Sequence, residues 1–210
     1  SVQQVVSGLT VYAAEALQIA LDTVGNKLYW TKGYQLWRAN LDGTLPEVVY
    51  SIPPDPGYGG GLLDFMQIGD VAVDVANNRL YVSERRQRET LVDVNNGIRY
   101  SGPTHEHTLI VATDLNGGNP SFFAGVADGC TYANYYDNLG VGVGPGQDPK
   151  TCLSSGTDGF DVEAMTVRDG TLYWSAIDAD KVNAGVYGRT PGQPAFTVAP
   201  LALPGNPNGQ

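Results

Sequence analysis

A hairpin that occurs three times is the feature of this sequence that most constrains its fold. In each copy an apolar strand ends in Asp or Thr, a short polar turn follows, and the next strand contains Leu-Tyr before Trp or Val. The tyrosine lies seven positions after the Asp or Thr, so Thr166 takes the place of Asp22 and Asp74. The turns consist of residues that favour tight hairpins: Gly25-Asn26, Asn77-Asn78 and Asp169-Gly170.

A second hairpin follows each copy of the first. Its turns lie at 42–43, 116–117 and 191–192, and a short apolar strand comes after each turn. Each unit therefore contains four antiparallel strands, here called a, b, c and d. Repeated four-stranded sheets are typical of a β-propeller, in which the sheets are the blades. The sequence predicts an all-β propeller segment over 1–203, with blades at about 17–50, 67–124 and 160–200.

The stretch "NKLYWTK...LWRANLDG", which begins at Asn26, resembles the YWTD-type β-propeller of the low-density-lipoprotein-receptor class. In that family six blades form an extracellular interaction domain, so the resemblance implies about three blades of a six-bladed ring. The family's fourth motif residue is an Asp that ties blades together; Lys32, Glu84 and Ala176 stand there, so the resemblance does not extend to those ties. It implies structural roles within the blades for the motif residues Asp22, Tyr29, Trp30, Asp74, Tyr81, Tyr173 and Trp174.

The closure of the ring is open to three interpretations. Residues 1–9 resemble a lone strand d, and the Pro/Gly/Asn-rich residues 204–210 are typical of a linker. Three blades alone would leave two sheet faces open. The chain is then a segment of a longer polypeptide, a half-propeller completed by another chain, or a ring with a divergent fourth blade within 126–160.

Three long connections, at 51–66, 84–107 and 125–160, are expected on the same face, because b–c and d–a connections share one end of a blade. Long loops in compact domains are often functional. Tyrosine suits protein interfaces, so this face is predicted to bind a protein partner or other copies of the chain. The basic cluster at 84–89 is expected to be a solvated part of it. The candidate contacts are Tyr58, Tyr100, Tyr132, Tyr135, Tyr136, Asp128 and Asp137.

The two cysteines, Cys130 and Cys152, are predicted to form a disulfide within the last of these loops. Two unrelated buried thiols are the alternative. A disulfide indicates an oxidising compartment, which here means the extracellular space or the lumen of the secretory pathway. A zinc site is not expected, since no third ligand accompanies His105 and His107 in a familiar spacing.

Charge and hydropathy exclude two classes of partner. The formal net charge is −10, with 12 Lys and Arg residues against 22 Asp and Glu. Nucleic acid is not expected as a partner, because phosphate binding relies on concentrated positive charge. Membrane insertion is not expected either, because the sequence has no run of about 18 apolar residues.

Catalytic signals are weak. Asp158, Asp161 and Glu163 lie at the start of a predicted strand a, where they could face the channel and bind calcium. Nucleophile, phosphate-loop and Cys-x-x-Cys motifs are absent from the sequence. The sequence therefore predicts a non-enzymatic extracellular domain for protein interaction or structural assembly, without a cofactor. A calcium-dependent propeller hydrolase, similar to a lactonase, is the alternative.

Overall fold

The computed structural model describes residues 18–53, 65–94, 97–125, 161–177 and 183–202. The regular structure within these ranges is entirely β-strand. Residues 1–9 and 204–210, predicted as a lone strand and a linker, lie outside them. The strands are β1 (Ile19–Asp22), β2 (Lys27–Lys32), β3 (Gln35–Asn40), β4 (Glu47–Ser51), β5 (Phe65–Asp74), β6 (Arg79–Val94), β7 (Gly97–Thr113), β8 (Ser121–Ala124), β9 (Asp161–Arg168), β10 (Thr171–Ile177), β11 (Asn183–Arg189) and β12 (Phe196–Ala202).

The strands form three four-stranded antiparallel sheets, each made of consecutive strands. Blade 1 contains β1 to β4, blade 2 contains β5 to β8, and blade 3 contains β9 to β12. β5 packs against β1 and β2 on one side and against β9 on the other. The first strands of the blades are therefore neighbours, as the inner strands of a propeller are. The predicted fold class, all-β with four-stranded antiparallel blades, is confirmed.

The turn between strands a and b is built by an aspartate in blades 1 and 2. The Asp22 Oδ1 accepts hydrogen bonds from the backbone N–H groups of Val24 and Gly25, at 3.0 and 2.6 Å. Asp74 accepts hydrogen bonds in the same way from the backbone and the side chain of Asn77. Both aspartates are buried. Their role is therefore to fix the turn that joins the two strands.

The corresponding turn of blade 3 is shorter. Only Asp169-Gly170 join β9 to β10, with φ of 50° and 73°, whereas residues 23–26 join β1 to β2. The strand register consequently places Arg168 where blade 1 has Asp22. The correspondence of Thr166 with Asp22 that the spacing indicated is wrong, because the equal spacing concealed a shorter turn.

The Thr or Ser that comes two positions after the motif tyrosine binds the inner strand. The Thr31 Oγ1 accepts a hydrogen bond from the backbone N–H of Gln18 at 3.0 Å. The Ser83 Oγ accepts one from the N–H of Asp70 at 2.7 Å, next to a bulge in β5. A side chain at Gly69 would place its Cβ 2.9 Å from this Oγ. The Ser83 hydroxyl thus satisfies a backbone donor where the pairing of β5 is irregular, and the Thr31 hydroxyl satisfies one just before β1.

The connection predicted as a loop at 84–107 is a β-hairpin. β6 and β7 pair from Leu80 opposite Thr113 to Val94 opposite Gly97, with register shifts on either side of Glu89. Their outer part continues beyond the last pairing of β5, which joins Phe65 to Gln87. The prediction that the basic cluster is a solvated loop is wrong at its first residue, since Glu84 is 0% exposed. It lies in the part of β6 that packs against blade 1.

The hydrophobic core forms two layers, one on each side of blade 2. The layer between blades 1 and 2 contains Tyr29, Leu36, Tyr50, Ile52, Ile68, Val71, Leu80, Val82 and Val111. The layer between blades 2 and 3 contains Ala72, Tyr81, Ile110, Ala112, Phe123, Val162, Leu172, Trp174 and Ala176. The blades are therefore held together by face-to-face burial of apolar side chains.

Candidate functional site

Most of the predicted loop contacts lie outside the described residues. Tyr100 belongs to β7, where the strand register sets it opposite Leu91. The same register sets His105 opposite Arg88 and His107 opposite Arg86. The residues outside the described ranges are Tyr58, Asp128, Cys130, Tyr132, Tyr135, Tyr136, Asp137 and Cys152.

The candidate calcium ligands are not brought together in the described part of the chain. Asp158 lies outside it, Asp161 begins β9, and Glu163 is exposed at a bulge in β9. Among the described residues, no group of three or more His, Cys, Asp or Glu side chains could hold a metal ion. Within the same ranges, no helix is long and apolar enough to cross a membrane.

Each blade has two chemically different faces, because side chains alternate along a strand. In blade 2 Tyr81 belongs to the core layer shared with blade 3. Its neighbours Leu80 and Val82 belong to the layer shared with blade 1. We call the face with the motif tyrosine the forward face, and the opposite face the backward face. Among the described blades, the forward faces of blades 1 and 2 each pack on the backward face of the next blade.

The backward face of blade 1 is apolar and partly open. Ile19 and Leu21 of β1 are 62% and 56% exposed. Trp30 is buried on this face and stacks on Trp37, with ring centroids 6.2 Å apart. Val48, which pairs with Trp37, is also exposed. These side chains form a surface of the same chemistry as a blade–blade core.

The forward face of blade 3 is also open. Tyr173 lies there, and its ring meets that of Phe196 edge to face with centroids 6.4 Å apart. Phe196 is 47% exposed. Thr166, which pairs with Tyr173, and Ala164 are exposed beside it on β9. This face is made of small residues around two aromatic rings.

Equivalent positions in blades 1 and 2 differ in exposure, because only blade 2 has a preceding blade among the described residues. Ile19 lies opposite Trp30, as Val71 lies opposite Val82 in blade 2. Val71 is only 3% exposed, because blade 1 covers it, whereas Ile19 is 62% exposed. The outward face of blade 1 therefore keeps an apolar residue at a position that the preceding blade buries in blade 2.

The forward face of blade 3 shows the same contrast. Thr166 lies opposite Tyr173, as Ala72 lies opposite Tyr81. Ala72 is 4% exposed under blade 3, whereas Thr166 is exposed.

Polar groups tie blade 1 to blade 2. The Tyr50 hydroxyl donates a hydrogen bond to the Glu84 Oε1 across the interface. The Arg38 Nη1 donates to the Leu115 carbonyl at 2.8 Å and to the Asn116 Oδ1 at 3.0 Å. Burial raises the pKa of the Tyr29 phenol, and the Arg38 guanidinium opposes that shift.

The Glu84 contact corrects an expectation about the fourth motif position. An acid there does form a tie between blades. Its signal in the sequence was the strand alternation of Leu80, Val82 and Glu84, which sets all three on one face.

Blade 2 is tied to blade 3 through Asp70, which sequence reasoning missed. Its Oδ2 accepts a hydrogen bond from the backbone N–H of Met165, and its Oδ1 accepts one from Val71. Burial raises the pKa of the Asp70 carboxyl, and these two N–H groups oppose the shift. An acid next to Val71, at the start of the predicted second blade, was the available signal. Arg189 donates to the carbonyl of Phe123 on the same interface.

A cleft of about 420 Å³ lies at the end of the blades that carries the short turns. Its lining residues are Asn77, Arg79, Asp169, Gly170, Thr190 and Pro191. This lining combines one cation and one anion at hairpin turns and presents no nucleophile with an adjacent base. The two outward blade faces are therefore the stronger candidate site.

No family model matches the sequence, and no curated protein matches it. The structure is similar to a chain in the crystal structure of the nidogen/laminin complex, with a TM-score of 0.48 and 16% identity over 93% of this chain and 53% of that one. It is also similar to Porphyromonas gingivalis dipeptidyl peptidase 4, with a TM-score of 0.48 and 7% identity over 88% of this chain and 25% of that one. The chain thus spans about half the length of the first and a quarter of the second.

Proposed function

We propose that this chain is an extracellular domain for protein interaction or structural assembly, built from YWTD-like blades of the low-density-lipoprotein-receptor type. The observation that carries the proposal is the contrast between Ile19 and Val71. The same register position is covered in blade 2 and open in blade 1. Exposed apolar patches on folded proteins mark interaction surfaces.

Both outward faces carry apolar side chains that a partner would bury. Ile19, Leu21 and Phe196 are each about half exposed. Full burial of such a side chain stabilises by about 1.5–3 kcal/mol relative to full exposure. Each of these side chains that a partner buries therefore adds to the binding free energy. Their positions are already fixed, because they lie in a sheet. Pre-ordered contacts lose little entropy on binding.

The loop face is proposed as a second contact surface. Its tyrosines would supply large and rigid contact area, and Asp128 and Asp137 would supply polar contacts. The Cys130–Cys152 disulfide would hold the last of these loops and would support an extracellular location. The partner is a protein, since a formal net charge of −10 disfavours nucleic acid.

A charged substitution on an outward face tests the proposal. The chain, Leu21→Arg and the control Val24→Arg are each cross-linked to secreted proteins, and the bound proteins are identified by mass spectrometry. Val24 is 82% exposed, but it lies in a turn rather than on a face. We expect the wild type and Val24→Arg to bind the same proteins, other copies of the chain included, and Leu21→Arg to lose them.

Equal binding by both variants would contradict the proposal. So would hydrolysis of ester or lactone substrates that stops when calcium is chelated, because that outcome supports the hydrolase alternative.

A further inference from the structure

We infer that the occupant of the two outward faces is a second copy of this chain, joined head to tail so that two copies close one ring. This inference rests on the proposed interaction role of the same faces, and it names their partner. Its basis is the packing of one blade on the next, which occurs between blades 1 and 2 and again between blades 2 and 3.

The internal contact has a fixed direction. Tyr29 of blade 1 packs in one core layer with Leu80 and Val82 of blade 2. Tyr81 of blade 2 packs in the other layer with Leu172 and Trp174 of blade 3. In both layers a motif tyrosine on a forward face meets the two apolar residues that flank the next motif tyrosine. The direction of packing is the same in both layers, although Val82 takes part in one and Trp174 in the other.

The outward faces are the two halves of that same contact. Blade 3 presents Tyr173 on its forward face without a following blade among the described residues. Blade 1 presents Ile19 and Leu21 on its backward face, where they are exposed and pair with Trp30 and Leu28, the two residues that flank Tyr29. The forward face of one copy therefore matches the backward face of another, whereas two forward faces or two backward faces do not match.

The small residues beside Tyr173 agree with this assignment. In blade 2 the residue opposite the motif tyrosine is Ala72, and the side chains of blade 3 cover it. Blade 3 has Thr166 at that position, and Ala164 lies two residues before it on the same face. Residues of this size leave room for a bulky backward face such as that formed by the exposed side chains of Ile19 and Leu21.

The number of copies follows from the geometry of propellers. A contact between two different faces either closes a ring or continues as a filament. Blades in a propeller turn about one axis, and closed rings contain about four to eight of them. Each chain supplies three described blades, so two copies give six, and a third copy would exceed this range. The expected assembly is a symmetric dimer with two identical contacts.

The first test is the native mass of the chain, measured by light scattering after size exclusion over a concentration series. We expect twice the chain mass of 22.3 kDa. Ile19→Arg, on the backward face, and Thr166→Arg, on the forward face, should each weaken the dimer at least tenfold. Val24→Arg, in an exposed turn, should leave it unchanged. Circular dichroism checks that every variant is folded.

Mixing the two face variants is the decisive experiment. Each variant alone carries a damaged residue in both contacts of the dimer. In a mixed pair, one contact holds both substitutions and the other holds neither. We therefore expect native mass spectrometry to show heterodimers and few homodimers. Absence of heterodimers would overturn the inference even if each variant alone is monomeric.

A monomeric wild type would also overturn the inference. In that case, loss of secreted partners by Leu21→Arg would still support the proposed interaction function, so failure of one conclusion is distinguishable from failure of the other.

Discussion

The hydroxyl of Tyr50 in blade 1 donates a hydrogen bond to the buried carboxyl of Glu84 in blade 2. Both side chains lie in the interface between the blades, and Glu84 has no exposed surface. A polar pair in such a place is costly to disrupt, because a buried group that loses its partner does not regain water. The stability of this interface should therefore depend on the pair.

Replacement of Tyr50 by Phe tests that dependence. We expect Tyr50→Phe to lower the free energy of unfolding by about 1–3 kcal/mol, since it removes a donor to a buried carboxyl. Urea denaturation measures the change. The matched control is Tyr34→Phe, at an exposed tyrosine, which should change the free energy by less than about 0.5 kcal/mol. Equal effects of the two substitutions would contradict the prediction.

The buried Asp70 should make stability depend on pH. Burial raises its pKa in the folded chain above the ordinary value of 3.8, so the folded chain binds this proton more tightly than the unfolded chain. Its contribution to stability is then fully present below 3.8 and is lost as the pH rises through the raised pKa.

Asp70→Asn isolates this contribution, because the amide keeps an acceptor oxygen and does not titrate. The difference in unfolding free energy between the wild type and the variant should shift in favour of the wild type as the pH falls from neutral toward 3.8. Urea titrations of both proteins over that range measure it. A shift in favour of the variant would show that the raised pKa is not present in solution.

Two glycines in the left-handed conformation allow the cost of backbone strain to be measured apart from the cost of steric crowding. Gly117 and Gly192 have φ of 80° and 78°. A Cβ at Gly117 would lie 1.5 Å from the carbonyl oxygen of Val49, whereas a Cβ at Gly192 would have no atom within 4 Å. We expect Gly192→Ala to cost about 1–2 kcal/mol for the left-handed conformation alone. Gly117→Ala should cost more than about 3 kcal/mol, because it also pushes two blades apart. Thermal unfolding of both variants measures the difference, and equal costs would contradict the crowding.

The predicted disulfide is tested by mass. Under non-reducing conditions the chain should be lighter than the reduced chain by two hydrogen atoms. Peptide mapping should then find Cys130 linked to Cys152. Replacing both cysteines by serine should lower the free energy of unfolding by about 3 kcal/mol in the chain-entropy model. An unchanged mass on reduction would remove one argument for an extracellular location.

The repeat allowed the strand order and the antiparallel pairing to be predicted from the sequence. The motif consists of a tight turn, then Leu-Tyr, then a Thr or Ser. These local residues are enough to predict a paired strand, as Tyr29 and Thr31 show in blade 1. The pairing of β9 with β10 in blade 3 could not be predicted from the seven-residue spacing between Thr166 and Tyr173. A two-residue turn and a four-residue turn can give the same count in sequence, and only the pairing of Arg168 with Thr171 distinguishes them.

The hydrogen bonds that Glu84 and Asp70 form between blades were not predicted from the sequence, for a different reason. Glu84 begins a charged run, and local composition favours solvent for such a run. Its burial depends on blade 1, whose Tyr50 lies 34 residues away in the sequence. Likewise, the partner of Asp70 is a backbone N–H of blade 3, which leaves no trace in any side-chain pattern. Contacts of this kind follow from the packing of blades, which the repeat predicts only as an architecture.

The contact between Gly117 and Val49 has a consequence for how the sequence can change over time. At that edge of the interface main chain meets main chain, so the separation of the first two blades does not depend on side-chain size. Leu36 and Val111 help to fill the space between the blades, whose separation at this edge is limited by the main chain. A larger residue on one blade must be matched by a smaller residue on the other. Paired substitutions across the two blades should therefore be tolerated better than an enlargement on one blade alone.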